Sequence, residues 1–139
     1  MFFCELLSGL WVGDTDLLNS TNFIQDNDIS IILNCTQLFD FPDISSIEKI
    51  RLPFSSVKNS ETDLHLLREN KDKIINYIDQ NIDNHNILIC CYDGKSISSF
   101  IVALYIAEKS KIDKGSIYNI LLTKNSELSL WCDLSLFYP

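Results

Sequence analysis

The sequence predicts an α/β layer fold. Two short apolar runs rich in Ile, residues 30–35 (SIILNC) and 86–90 (NILIC), are too brief for helices and read as buried strands. Longer segments with apolar residues at helical spacing alternate with them, and strands alternating with helices build a layered sheet.

In chain order, Leu10, Trp11 and Val12 of GLWVGD form a short strand closed by Gly13-Asp14. Ser20 or Thr21 caps a short helix that runs through Asp26. The strand at 30–35 follows, then a weaker one at 49–52 ended by Pro53, which has no N–H to give. Residues 54–62 are a polar loop. Ser60-x-x-Asp63 resembles a capping box, and Leu64, Leu67, Ile74, Ile75, Ile78 and Ile82 keep helical spacing behind it. The strand at 86–90 runs directly into Cys91-Tyr92-Asp93-Gly94-Lys95-Ser96, and a helix with Phe100, Ile101, Leu104 and Ala107 on one face comes next. Gly115 separates it from a helix around 117–122. A last helix is expected from near Ser126, carrying Leu130, Trp131, Leu134 and Phe137.

Composition narrows the function classes. A chain of 139 residues is read as one domain, 1–139, large enough to bury a core without staples. Its 46% hydrophobic content argues against disorder. A net charge of −8 makes nucleic acid an unsuitable partner, because phosphate backbones are bound by clustered Lys and Arg. No apolar run approaches the roughly 18 residues of a membrane span, and MFFCELLSGLWVGD lacks the basic start of a secretory signal. Cys4, Cys35, Cys90, Cys91 and Cys132 form no C-x-x-C pair, and His65 and His85 do not stand at metal-site spacing from them. No metal and no cofactor are therefore expected, and a reducing, cytoplasmic setting is.

The chemistry is concentrated at residues 90–98. A buried strand, a tight loop with a glycine and a helix start together make a phosphate-binding arrangement, since N–H groups at the helix start converge on an anion. A Cys at the head of such a loop is expected to have a lowered pKa and to serve as a nucleophile. The same residues also fit an ordinary core turn. Gly94-Lys95-Ser96 matches the end of the nucleotide-binding pattern G-x-x-x-x-G-K-[ST], but Ile89 stands at its first glycine, where a tight turn is needed.

A second pattern covers more of the chain. The run Cys90-Cys91-Tyr92-Asp93-Gly94-Lys95-Ser96-Ile97-Ser98 resembles the H-C-x-x-G-x-x-R-S signature of the dual-specificity protein phosphatases. GLWVGD at 9–14, Ile29 to Asn34, Arg51-Leu52-Pro53 and the stretch from Ile87 to Lys109 are similar to that family's first strand, second strand, acid-loop strand and loop-helix core. The resemblance implies a small single-domain fold: a central mixed sheet flanked by helices, with a phosphate-binding loop (Cys91, Tyr92, Asp93, Gly94, Lys95, Ser96 and Ile97) between a buried strand and a helix. It places Cys91 at the nucleophile and Ser98 at the hydroxyl that assists the leaving thiolate.

Three positions depart from the pattern. Ile97 replaces the Arg whose planar fork would bind two phosphate oxygens. A charge-assisted hydrogen bond is worth about 1.5–3 kcal/mol, so losing a bidentate pair costs on the order of 10²–10⁴ in rate. Ser56 stands where the resemblance implies an Asp as general acid, and a hydroxyl is too weak an acid for that work. Cys90 replaces the signature His. The expectation is a pseudophosphatase that binds a phosphoprotein or signalling partner. Two alternatives stand beside it. One is an active protein tyrosine/serine/threonine phosphatase with Cys91 as nucleophile, Lys95 as a displaced cation and Asp63 or Glu61 as substitute acid. The other is an interaction or homodimerisation module, joined through MFFCELL or the segment with Trp131 and Phe137, whose pocket has no function.

Overall fold

The two apolar runs lie side by side at the centre of the molecule. In the computed structural model, which describes residues 1–138, β5 (Asn86–Cys90) pairs in parallel with β2 (Leu10–Gly13) on one side and β3 (Ile29–Asn34) on the other. β4 (Glu48–Arg51) extends the sheet in parallel beyond β3, and β1 (Phe3–Leu7) closes the other edge antiparallel to β2. The result is one mixed five-stranded sheet in the order β1-β2-β5-β3-β4.

Alternation along the strands divides the core into two layers. Leu10, Val12, Ile31, Leu33, Ile87 and Ile89 face the long helices; Ile32 and Leu88 face the opposite side. On that smaller side, Leu17 and Leu18 of a 3-10 turn (Thr15–Asn19) and Phe23 and Ile24 of α1 (Thr21–Asp26) cover the sheet. On the larger side, α2 (Glu61–Asn81) contributes Leu67, Ile74, Ile75 and Ile78. α3 (Ile97–Lys109) is buried at every residue from 97 to 106, so it is the central helix rather than a surface one. α4 (Lys114–Lys124) adds Ile117 and Leu121.

The caps explain where the helices begin. The Ser60 hydroxyl accepts the Asp63 N–H at 3.2 Å, one half of the expected capping box. The other half is absent because the Asp63 carboxylate turns to Ser55 instead. At α4 the true cap is Asp113, whose carboxylate accepts the Gly115 N–H at 3.2 Å. Gly115 therefore lies inside the first turn of α4 and does not separate the helices.

At the chain ends one element is added and one expectation is corrected. The N-terminal apolar segment is an edge strand, β1, with Phe3 packed against Trp11 and Phe23. The helix expected from Ser126 does not form; the segment is irregular with one short 3-10 turn, Leu134–Leu136. Asn125 and Asp133 side chains accept the N–H groups of Glu127 and Ser135, and such local bonds compete with helical ones. Its apolar side chains still reach the core: Trp131 lies between Phe54 and Phe100, with ring centroids at 5.6 and 5.9 Å, and Phe137 meets Phe100 at 5.5 Å.

Phe100 is thus the aromatic hub that holds the C-terminal segment to α3. Phe100→Ala should lower the unfolding free energy by about 3–5 kcal/mol in urea titration. Phe3→Ala, at a half-exposed edge position, should cost about 1 kcal/mol or less.

Candidate active site

The loop that follows β5 is anchored to the end of β2. The Cys91 N–H donates to the Gly13 carbonyl at 3.1 Å. Gly94 sits at φ +73°, and a Cβ there would lie 2.5 Å from the Asp14 nitrogen and the Gly13 carbonyl carbon. Only glycine fits both the left-handed backbone and the close approach. The chain then enters α3, whose second residue, Ser98, brings its N–H to 3.4 Å and its hydroxyl to 3.3 Å from the Cys91 sulfur.

Cys91 is fully buried at the floor of this arrangement. Burial pushes its thiol up, and the neighbouring Asp93 charge adds to that; the Ser98 hydroxyl and N–H and the Gly94 N–H oppose it without prevailing. The expected lowered pKa is therefore corrected to a raised one. A helix start favours a thiolate, but here desolvation outweighs it and a carboxylate lies 3.5 Å away.

Above the loop lies an open cleft of about 470 Å³. Tyr92, Asp93, Ser96 and Ile97 line it from the loop, Ser56 and Val57 from the segment after β4, and Leu130 and Trp131 from the C-terminal segment. The Tyr92 hydroxyl donates to the Phe54 carbonyl at 2.7 Å and accepts the Gln37 N–H at 3.2 Å, so it ties the three loops of the rim together. Behind Gln37, the Asn34 amide donates to the Phe39 carbonyl, and the Arg51 guanidinium donates to the Thr36 and Phe39 carbonyls at 2.9 and 2.8 Å. Asn34, Arg51 and the wall residue Trp131 were not among the site residues the sequence singled out.

Asp93 has a distinct geometry. Its Oδ1 accepts the Lys95 N–H at 2.9 Å, the Ser96 N–H at 3.2 Å and the Ser96 hydroxyl at 3.1 Å, and lies 3.5 Å from the Cys91 sulfur. Partial burial raises this carboxyl, but the Lys95 N–H and the Ser96 hydroxyl and N–H, with the Cys91 thiol, together hold it below its ordinary value. It is a carboxylate at neutral pH.

The displaced cation and acid do not converge on this cleft. Lys95 turns outward: its ammonium lies 3.2 Å from Glu127 and 5.1 Å from the centre of the Phe2 ring. Asp63 does not line the cleft; it is buried behind the lining residue Ser55, accepting the Ser55 N–H at 3.0 Å and the Ser55 hydroxyl at 2.6 Å. Glu61 is an exposed residue of the first turn of α2. Ser56 does line the cleft, and Ile97 is a buried apolar wall residue at the place of the signature Arg. Cys90 points to the opposite face of the sheet, among Leu17, Leu18 and Leu88. Cys35 shares the face of Cys91, and its N–H donates to the Cys90 carbonyl at 2.8 Å. All five cysteines are free thiols, and among the described residues no three His, Cys, Asp or Glu side chains gather as metal ligands do. No helix among the described residues is long and apolar enough to cross a membrane.

No family model matches the sequence, and no curated protein matches it significantly. Solved structures do match the fold. Human DUSP28 superposes with a TM-score of 0.81 at 11% identity, over 97% of this chain and 91% of that one. A mouse putative dual specificity phosphatase complexed with zinc tungstate gives 0.77 at 14% identity, over 97% and 85%. A human tyrosine phosphatase-like serine/threonine/tyrosine-interacting protein gives 0.77 at 14% identity, over 92% and 87%. The chain has the dual-specificity phosphatase fold, with the mixed sheet and the strand-loop-helix turn the resemblance implied.

The burial and charge around Cys91 set its reactivity. Peptide mapping after iodoacetamide treatment should show slow labelling of Cys91 at neutral pH, with a midpoint above the free-thiol value of about 8.5. A midpoint below that value would mean that the loop activates the thiol after all.

Proposed function

We propose that this chain is a pseudophosphatase: it keeps the phosphatase fold and a cysteine at the nucleophile position, hydrolyses phosphomonoesters very slowly or not at all, and acts by binding a phosphoprotein or another signalling protein. The observation that carries this reading is Ile97, an apolar side chain with 6% exposure at the position from which a guanidinium would clamp the transferring phosphoryl group. Charge that develops on equatorial oxygens must be met by fixed donors, and removing such a donor typically costs 10²–10³ in rate. Ser56 supplies no proton of useful acidity to a leaving group. Lys95 and Asp63 are engaged elsewhere and give little support to an enzyme with displaced residues.

Binding has its own support. Exposed apolar side chains lie at the cleft: Val57 lines it at 63% exposure, and the half-exposed Phe39 packs beside Tyr92. Exposed apolar residues gathered around a concave site are suited to holding another protein. One of the structural neighbours is named as phosphatase-like and interacting, which is consistent with the same division between fold and catalysis. Homodimerisation through the terminal segments has less support, since Leu6, Trp131 and Phe137 all pack on the core of their own chain.

Turnover of a chromogenic aryl phosphate tests the proposal. The purified protein should run at least about 10²-fold below an active phosphatase of the same fold, and the residual rate should not depend on Cys91. A rate comparable to active enzymes and abolished by Cys91→Ser would overturn it.

A further inference from the structure

We infer that Asp93 is a built-in occupant of the loop's anion position, which shuts the 91–98 loop to phosphoryl groups. The inference rests on the reading of this chain as a binder and says why its loop takes no phosphoryl group. The N–H groups of a loop entering a helix are the donors that would receive an oxyanion. Two of them, those of Lys95 and Ser96, already meet on one carboxylate oxygen, at 2.9 and 3.2 Å. The Ser96 hydroxyl completes the shell at 3.1 Å from Oδ1 and 3.2 Å from Oδ2. The same Oδ1 lies 3.5 Å from the Cys91 sulfur, the neighbourhood in which the nucleophile would meet a phosphoryl oxygen.

A phosphate entering the cleft has to displace all these contacts at once, and the displaced group is tethered two residues from Cys91. An intramolecular ligand competes at a high effective concentration. Its negative charge, on an exposed side chain that lines the cleft, also repels a dianion at close range. No counter-charge comes from the loop itself, where the signature Arg is Ile97 and the Lys95 ammonium is paired with Glu127. Lys58, on the outer wall, is the single cation lining the cleft among the described residues. Burial is the main influence that disfavours the Cys91 thiolate, and the Asp93 carboxylate 3.5 Å from the sulfur adds to it. One residue thus fills the cradle and helps to quiet the nucleophile.

Tungstate is the probe, read by calorimetry and by the fluorescence of Trp131 in the cleft wall. Asp93→Ala should bind it at least tenfold more tightly than the unaltered protein. Asp93→Asn keeps the hydrogen-bond acceptor and the fold while losing the charge, and should also gain affinity. Iodoacetamide labelling of Cys91 should accelerate in both variants. Equal tungstate affinity in the unaltered protein and both variants, or no gain in either, overturns the inference. Aryl phosphate turnover by the unaltered protein would instead overturn the binder reading, so the two failures are separable.

Discussion

The site depends on one backbone contact, the seat of Gly94 against Gly13 and Asp14. The loop after β5 must turn sharply to feed α3, and the turn is held because Cys91 donates to the Gly13 carbonyl while Gly94 passes within contact of the next peptide. Asp14 is itself fixed from the other side, with its N–H on the Phe2 carbonyl and its carboxylate on the Phe2 N–H at 2.7 Å. The edge strand β1, the end of β2 and the loop therefore form one unit. Any side chain at 94 would push the loop off the sheet, and Cys91, Asp93 and Ser98 would lose their common centre together.

From that seat the chemistry follows in a consistent direction. A loop of this shape is useful to an enzyme because its donors are unsatisfied until substrate arrives and a fixed cation waits beside them. Here two of the donors, the Lys95 and Ser96 N–H groups, are taken by Asp93, an aliphatic wall stands at Ile97, and the thiol is raised rather than lowered. Each change alone would slow a phosphatase. Together they make a concave surface with little electrostatic drive toward phosphate, lined on one side by the exposed Val57.

Most of the fold was legible in the sequence where burial is continuous. β3 and β5 announce themselves by apolar runs buried on both faces, and α2 by Ser60 and the spacing of its isoleucines. β1 was not legible because an edge strand buries little: only Leu6 of its five residues is fully buried. The expected last helix failed for another reason. Leu130, Trp131, Leu134 and Phe137 have helical spacing, but each finds its own place on the core while Asn125 and Asp133 take the backbone N–H groups. At the site, residue types at 91, 97 and 98 could be read from the resemblance. The pairing of Lys95 with Glu127 and the bonds that Asp93 accepts from Lys95 and Ser96 could not, because they are set by side-chain direction around a backbone turn and not by spacing.

The central claim is that Cys91 does not accept a phosphoryl group. A nucleophilic phosphatase forms a bond from sulfur to phosphorus as the ester oxygen leaves, so the adduct is the most direct witness of catalysis. Intact-mass spectrometry after rapid acid quench, with the protein in excess over an aryl phosphate, reads it without any need for turnover. Unmodified protein is expected at all mixing times. A phosphocysteine adduct at Cys91 that forms and then decays would contradict it.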